Sequence, residues 1–512
     1  MKICFFNVRT SDMMSMPLGI TYLGSVLREN GHEVRLFDLY PMDDIKLIID
    51  DLAENFPPDF VGYSMMTTNF NKTKELNTAL KKQFPDKIYC AGGIHPTVLP
   101  QETIDDLSLD FVLIGEGENT ILKVIDAIEN HKNFDGIKGI AYKQEGGGYY
   151  ISKELNVVQD LDTLPLPARD LLPVERYLVP PGYIRSVFLN RVMSVITSRG
   201  CPYTCTFCNS NQIFYRKTRR RSAENVLNEV ENLIKDYKID GIYFHDETFP
   251  MFNNEWLKTL CAGLERLGIK WGCQTTVNVI NSCRKENIEM VRKSGCVQVD
   301  VGMETASDRM LKKIQKAHTR EEAIKAFKFL NDNNIRSFTS FIIGLPDENE
   351  EDLKANLSFL DEIKPNFTYF NLLTPYPGTV IANTAIKEGK LDKKYFYKDY
   401  DMLIETEPLV NLSNVTTDTL KKYHQKLRNK VFVKNYLSML TINNLRFLLK
   451  AIFSFFLTPS LVIKSIKDLY KTRNIEVFVF AIFTSYQRWE SRKFNKFLIS
   501  KKKSYGKLKQ VI

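Results

Sequence analysis

The stretch that most constrains this 512-residue chain runs from Thr197 to Cys208, where Cys201, Cys205 and Cys208 are spaced C-x3-C-x2-C. Thiolate is the usual protein ligand of iron–sulfur clusters, and three thiolates on one short loop can hold three irons of a cubane. The remaining iron then lacks a cysteine and is open to a small molecule that receives an electron. Gly200 lets the backbone come close to such a cluster, Pro202 stiffens the loop, and Phe207 shields one side from water. The competing readings are a zinc site and unpaired core thiols. Structural zinc takes four ligands, and no fourth Cys or His lies within the loop.

The loop resembles the signature of the radical S-adenosylmethionine (radical SAM) enzymes. The resemblance implies a [4Fe-4S] cluster held by Cys201, Cys205 and Cys208, with the open iron chelating the amino and carboxylate groups of SAM. Three of the nine cysteines are thus assigned, and the other six show no framework spacing, which fits a reducing cytoplasm. The N-terminus turns polar too soon for a signal peptide.

Ahead of the loop, residues 1–150 alternate strands and helices. Strands are expected at Lys2–Asn7, Glu33–Asp38, Asp59–Ser64, Lys87–Ala91 and Asp110–Ile114. Helices are expected at Leu18–Asn30, stopped by Gly31, at Asn69–Phe84, and from Glu118 to about Asn130. Such alternation predicts an α/β, doubly wound parallel sheet of the Rossmann or flavodoxin type, with ligands at the carboxyl ends of its strands. The turns Ser64–Thr68, Gly92–Thr97 and Gly115–Glu118 fall there. Pro17–Leu23, Gly31–Val34, Gly92–Pro96 and Gly115–Glu118 resemble the cobalamin-binding domain found ahead of many radical SAM modules. By that resemblance Leu18, Ser64, Thr67, Gly92, Gly93, His95, Gly115, Glu116, Gly117 and Glu118 line a cobalamin site. No D-x-H-x-x-G is present, so the implied cobalt has no protein histidine below it. The alternative is a domain that keeps the fold and has lost the ligand.

Residues 151–189 read as a proline-rich extended linker around Asp160–Asp170, preceded by a hairpin at Gly146–Gly148. Residues 190–385 again alternate, in about six strand–helix repeats, which predicts a partial (β/α)6 barrel with its site at the strand ends. By resemblance this is the radical SAM core. Asp246 or Glu247 then receives the SAM amino group, Glu304 sits near the ribose, Gly344 and Pro346 pack by the adenine, and Phe207 lies beside them. Each carboxylate has an alternative use as a cap on the helix that follows. His245 reads as a strand residue. Arg216, Arg219, Arg220 and Arg221 read as a solvated face or a contact to cofactor phosphates.

Residues 386–512 form a basic, helical C-terminal region. From Lys421 to Ile512 there are 21 Lys plus Arg against 3 Asp plus Glu, a net +18, whereas residues 1–420 carry a net −9. A basic tail on an acidic body is expected to meet a polyanion. The apolar runs Leu445–Leu457 and Ile475–Phe483 are shorter than the roughly 20 residues of a membrane span. They suit helices lying in a membrane interface, or helices packed on the barrel with a solvated basic face. The first reading places a cytoplasmic enzyme peripherally at the inner face of the membrane.

The implied activity is that of a radical SAM C-methyltransferase. The cluster reduces SAM to methionine and a 5′-deoxyadenosyl radical, the radical takes hydrogen from an unactivated carbon, and cobalamin delivers the methyl group. The alternative with the same cofactors is an oxidative cyclase of the anaerobic Mg-protoporphyrin ester cyclase type. A tRNA methylthiotransferase fits less well, since only Cys4 and Cys90 lie ahead of the loop region and the tail is not β-rich. A non-catalytic corrinoid sensor conflicts with the intact cysteine loop. The expected partners are a small-molecule or lipid substrate and an electron donor such as ferredoxin or flavodoxin; nucleic acid is not expected.

Overall fold

The computed structural model describes all residues apart from 11–14, 42, 179–188, 190, 252–254, 399–406, 440–444, 473–481, 483–484 and 486–512. The N-terminal sheet comprises β1 (Lys2–Val8), β2 (Glu33–Leu39), β3 (Phe60–Ser64), β4 (Ile88–Gly92), β5 (Phe111–Leu113), β6 (Ile140–Lys143) and β7 (Tyr149–Ile151), in the spatial order β2-β1-β3-β4-β5-β6-β7. Strands β1 to β5 run parallel, and β6 and β7 add an antiparallel hairpin at one edge. Side chains of β1 alternate between two cores: Ile3 and Phe5 pack with Phe60 and Phe111, while Cys4, Phe6 and Val8 pack with Val61 and Tyr63. Burial on both faces explains why these strands read as continuous apolar runs. The direction of winding reverses between β1 and β3, which opens a crevice at the carboxyl ends of the strands.

The proline-rich stretch differs from its reading as an extended linker. It forms short 3-10 turns at Leu161–Thr163, Arg169–Leu171 and Val174–Arg176. Its carbonyls and amides are used by both neighbours. Ser25 Oγ donates to Leu166 O at 2.6 Å, Ala168 N to Thr21 O at 3.0 Å, and the buried Arg169 to Ser194 O at 2.9 Å. The segment therefore stitches helix Leu18–Glu29 to the second sheet.

That sheet is built from β8 (Val192–Val195), β11 (Gly241–Phe244), β12 (Lys270–Thr275), β13 (Cys296–Glu304), β14 (Arg336–Ile343) and β15 (Phe367–Leu372), paired in chain order and parallel throughout. Between β8 and β11 lies a short antiparallel pair, β9 (Ser198–Arg199) with β10 (Arg219–Arg220), and the cysteine loop is its tip. Helix Thr417–Met439 runs along the free edge of β15. There Asn435 accepts from Thr368 N (3.0 Å) and donates to Thr368 O (2.8 Å), and His424 donates to Phe370 O (2.9 Å). Edge strands need such cover, so this part of the tail packs on the barrel. Helices Leu445–Phe456 and Pro459–Thr472 follow it. The apolar run expected at 475–483 lies outside the described residues apart from Ile482.

Candidate active site

The cysteine loop is shaped by its backbone. Gly200 has φ +93°, and a Cβ there would run into the Lys217 carbonyl, so only glycine fits. Its N–H donates to Glu247 Oε2 at 3.0 Å. Thr206 N donates to Ile314 O, and Cys208 N to Cys205 O, closing the turn. All nine cysteines are free thiols. Cys201, Cys205 and Cys208 line one cavity of about 210 Å³ together with Phe207, Glu247, Glu304 and Lys316. Burial pushes the Cys205 thiol up to about 11 and raises Cys208 as well; a bound metal deprotonates such thiols outright. Among the described residues no three His, Cys, Asp or Glu side chains converge on a single metal ion. Thiols that each hold a different iron of a cubane do not need to converge on one point, and three thiols on one loop are the donor set that a cluster takes.

The two carboxylates at the end of β11 have different surroundings. Asp246 is fully enclosed, and it accepts from Thr197 N at 2.7 Å, from Thr197 Oγ1, and from Ser198 Oγ at 2.7 Å. It pins β11 to the strand feeding the cysteine loop and does not line the cavity. Glu247 does line the cavity. Burial pushes its carboxyl up to about 7, and beside the bond from Gly200 N–H a ligand cation would stabilise its charged form.

Across the cavity, Glu304 accepts from the buried Lys316 at 2.8 Å. Glu304 has φ +67°, an uncommon conformation for a side-chain-bearing residue. A Cβ at Gly302 would lie 2.6 Å from the Glu304 carboxylate, so the glycine makes room for the pair. Lys316 Nζ stands 5.9 Å from the Phe207 ring centroid. Gly344 and Pro346 do not line this cavity. Gly344 donates instead to Glu348 Oε2 at 2.6 Å and faces Leu420. The far wall carries groups without a sequence signal: Asp300, held by Tyr243 (2.7 Å) and Gln298 (2.6 Å), and His318, whose buried Nε2 has no partner. Burial and the nearby Lys316 lower His318 to about 3, so its ring is neutral.

A second cavity of about 230 Å³ opens at the carboxyl ends of β3, β4 and β5. Of the residues expected to meet cobalamin, Ser64, Gly92, Gly93, Gly115, Glu116, Gly117 and Glu118 line it. Local packing requires glycine at two places in its wall: a Cβ on Gly93 would lie 2.6 Å from Met65 O, and one on Gly115 would lie 2.9 Å from Leu155. Tyr22, Tyr63 and Phe214 add flat apolar surface. This wall fits the edge of a large planar ligand. Leu18, Thr67 and His95 do not line it. Leu18 is buried in the first turn of its helix. Thr67 Oγ1 meets His95 Nδ1 at 3.2 Å, and the His95 ring is enclosed by Phe70 and Phe396, with burial lowering it to about 4. A histidine that the sequence reading left in its strand, His245, is instead on the cavity wall.

Glu116 and Glu118 face the cavity with their carboxylates already engaged. Arg199 reaches Glu116 (3.2 Å) and Glu118 (2.7 Å), and Arg219 reaches Glu116 (2.8 Å), all largely buried. Burial works to raise Glu116, but the arginines prevail and hold it below the usual carboxylate range. Arg221 is buried against Glu229, which also pairs with Arg169 at 2.6 Å. Of the four arginines expected on a solvated face or against cofactor phosphates, Arg219 and Arg221 are thus internal ties, while Arg216 and Arg220 are exposed. The two cavities adjoin, with Glu247 in the wall of both.

The profile described as "Radical SAM superfamily" matches residues 195–360, and that described as "B12 binding domain" matches residues 6–125. The chain is 31% identical over 430 residues, 82% of its own length and 89% of the relative's, to a protein of Pyrococcus horikoshii named "Uncharacterized methyltransferase PH0819". It is 28% identical to an "Anaerobic magnesium-protoporphyrin IX monomethyl ester cyclase" of Rubrivivax gelatinosus, covering 82% of this chain and 75% of that one. Among solved structures, the fold resembles that of "Cobalamin-dependent S-adenosylmethionine radical enzyme OxsB", at 19% identity and a TM-score of 0.67, covering 97% of this chain and 80% of the other.

Proposed function

The chain belongs to the B12-binding radical SAM enzymes, with SAM, a [4Fe-4S] cluster and cobalamin as its cofactors, and on that premise we propose that it methylates an unactivated carbon of a small molecule. When bound, the cluster supplies the electron that cleaves SAM, and the corrin supplies the methyl group. The observation that carries the reading is that Glu247 lines both cavities, so that the thiol side and the glycine side adjoin at one residue. Proximity of that kind is what a transfer between two bound groups requires.

The residues have distinct tasks. Cys201, Cys205 and Cys208 hold three irons. Glu247 accepts from the SAM ammonium, a charge-assisted hydrogen bond. Glu304, fixed by Lys316, accepts from the ribose hydroxyls, and Phe207 keeps water from one flank. The Gly92–Gly93 and Gly115–Gly117 backbones admit the corrin edge. Arg199 and Arg219, held by Glu116 and Glu118, fix the spacing of the two sites. His318 presents a neutral ring to the substrate end. Residues 1–150, 151–189, 190–385 and 386–512 then serve as corrin domain, connector, radical core and tail. A one-electron donor of the ferredoxin or flavodoxin class completes the set.

Oxidative cyclisation is the second reading, favoured by the likeness to the cyclase of Rubrivivax gelatinosus. Anaerobic incubation of the loaded enzyme with methyl-labelled SAM and a cell extract distinguishes the two. Methyl transfer predicts label with the protein-bound corrin and then in a small product. Label in neither, with SAM still consumed, rules it out in favour of cyclisation.

A further inference from the structure

The helices Leu445–Phe456 and Pro459–Thr472 each turn an apolar stripe outward. On the first, Leu449, Ile452, Phe453 and Phe456 recur at i, i+3, i+4 and i+7, and they are exposed by 42–68%. On the second, Ile463, Ile466 and Tyr470 form a like stripe, with Tyr470 exposed by 90%. The buried side carries Phe455 and small hydroxyls: Ser454 meets Ser485 at 3.2 Å, Thr458 donates to Ser454 O, and Ser465 to Leu461 O. A helix facing water turns its apolar stripe to the core; here the stripe is turned outward and the hydroxyls are satisfied within. A contiguous apolar face of this kind marks a contact surface.

We infer that this hairpin is an in-plane anchor for an anionic lipid surface. Neither helix is long and apolar enough to cross a membrane. Between Leu445 and Thr472 there are five Lys or Arg against one Asp, within a tail of net +18. A second copy of the chain would bring another +18 to the same face. The chain's own last forty residues, 473–512, are also basic, with ten Lys or Arg against two Glu. An anionic lipid surface offers the opposite charge and an apolar layer together, and basic helices with an aromatic face lie in that interface. The inference is independent of the reaction proposed above.

The test is flotation of the full, cofactor-loaded chain with phosphatidylcholine vesicles, with and without phosphatidylglycerol. The chain should float only with the anionic vesicles and should be released by high salt. Phe453→Ser combined with Phe456→Ser should cut the partition about tenfold or more, because two exposed rings no longer enter the lipid. Lys450→Glu with Lys467→Glu should do the same at low salt. SAM cleavage, read in parallel, should be unchanged in both variants, which separates loss of docking from loss of fold. The inference is overturned by failure to float with anionic vesicles, by equal flotation with neutral ones, by variants that partition normally, or by a dimer in sedimentation that the phenylalanine variant dissolves.

Discussion

At the scale of single residues, the spacing of Cys201, Cys205 and Cys208 was legible because the chemistry is local: three ligands within one turn of chain need no knowledge of the fold. The adjacent carboxylates were not. Asp246 and Glu247 stand side by side in sequence, and only the hydroxyls of Thr197 and Ser198 decide that Asp246 is a strut and Glu247 a wall. Lys316 and His318 carried no signal, since they arrive at the cavity from a loop after β13. Glu348 carries no sequence signal of its place either: it is fully buried, with one oxygen taking the Gly344 N–H and the other unpartnered. Burial pushes it up to about 8. Its folded-state value therefore exceeds its ordinary one. Between pH 4.5 and about 8 the unfolded chain has released a proton that the folded chain retains, so stability falls as pH rises through that window and levels off above it. Thermal unfolding of the cofactor-free protein should show this decline, of a few kcal/mol, and Glu348→Gln should flatten it. An unchanged slope in the variant would remove Glu348 as the cause.

At the scale of elements, the strands were readable to within a residue or two, because parallel strands buried on both faces leave unbroken apolar runs. What joins the elements was not readable. Glu116 and Arg199 are 83 residues apart, and nothing in either neighbourhood names the other. The glycine-rich turn at Gly115–Glu118 looked like a ligand loop, and its two carboxylates are engaged by Arg199 and Arg219 of the cysteine hairpin. The proline-rich stretch read as a spacer for the corresponding reason: its partners, Thr21 and Ser194, lie in other elements. Glu116→Gln leaves Arg199 and Arg219 short of a buried counter-charge. It should lower stability by about 3–5 kcal/mol, measured by urea unfolding, and should lower cobalamin retention in the same protein. If the variant unfolds at the wild-type midpoint, the arginine–glutamate cluster is not what holds the two sheets in register.

At the scale of the whole molecule, two sheets present their carboxyl ends to one another, and the chain's acidic body ends in a basic tail. The sequence reading anticipated both sheets and their ligands by resemblance, and it left the tail divided between packing and lipid contact. The structure divides it by element: helix Thr417–Met439 covers the edge of β15, while the two helices after it turn Phe453 and Phe456, and Ile463 and Tyr470, outward. The account rests on two separate but adjoining sites, one built on thiols and one on glycine backbone. The measurement that tests this most directly is cofactor content with SAM cleavage in anaerobically reconstituted wild type and in Cys201→Ala, Cys205→Ala and Cys208→Ala. The wild type should hold about four irons and about one corrin per chain; each variant should lose SAM cleavage while keeping its corrin. SAM cleavage that survives in all three variants would contradict the account.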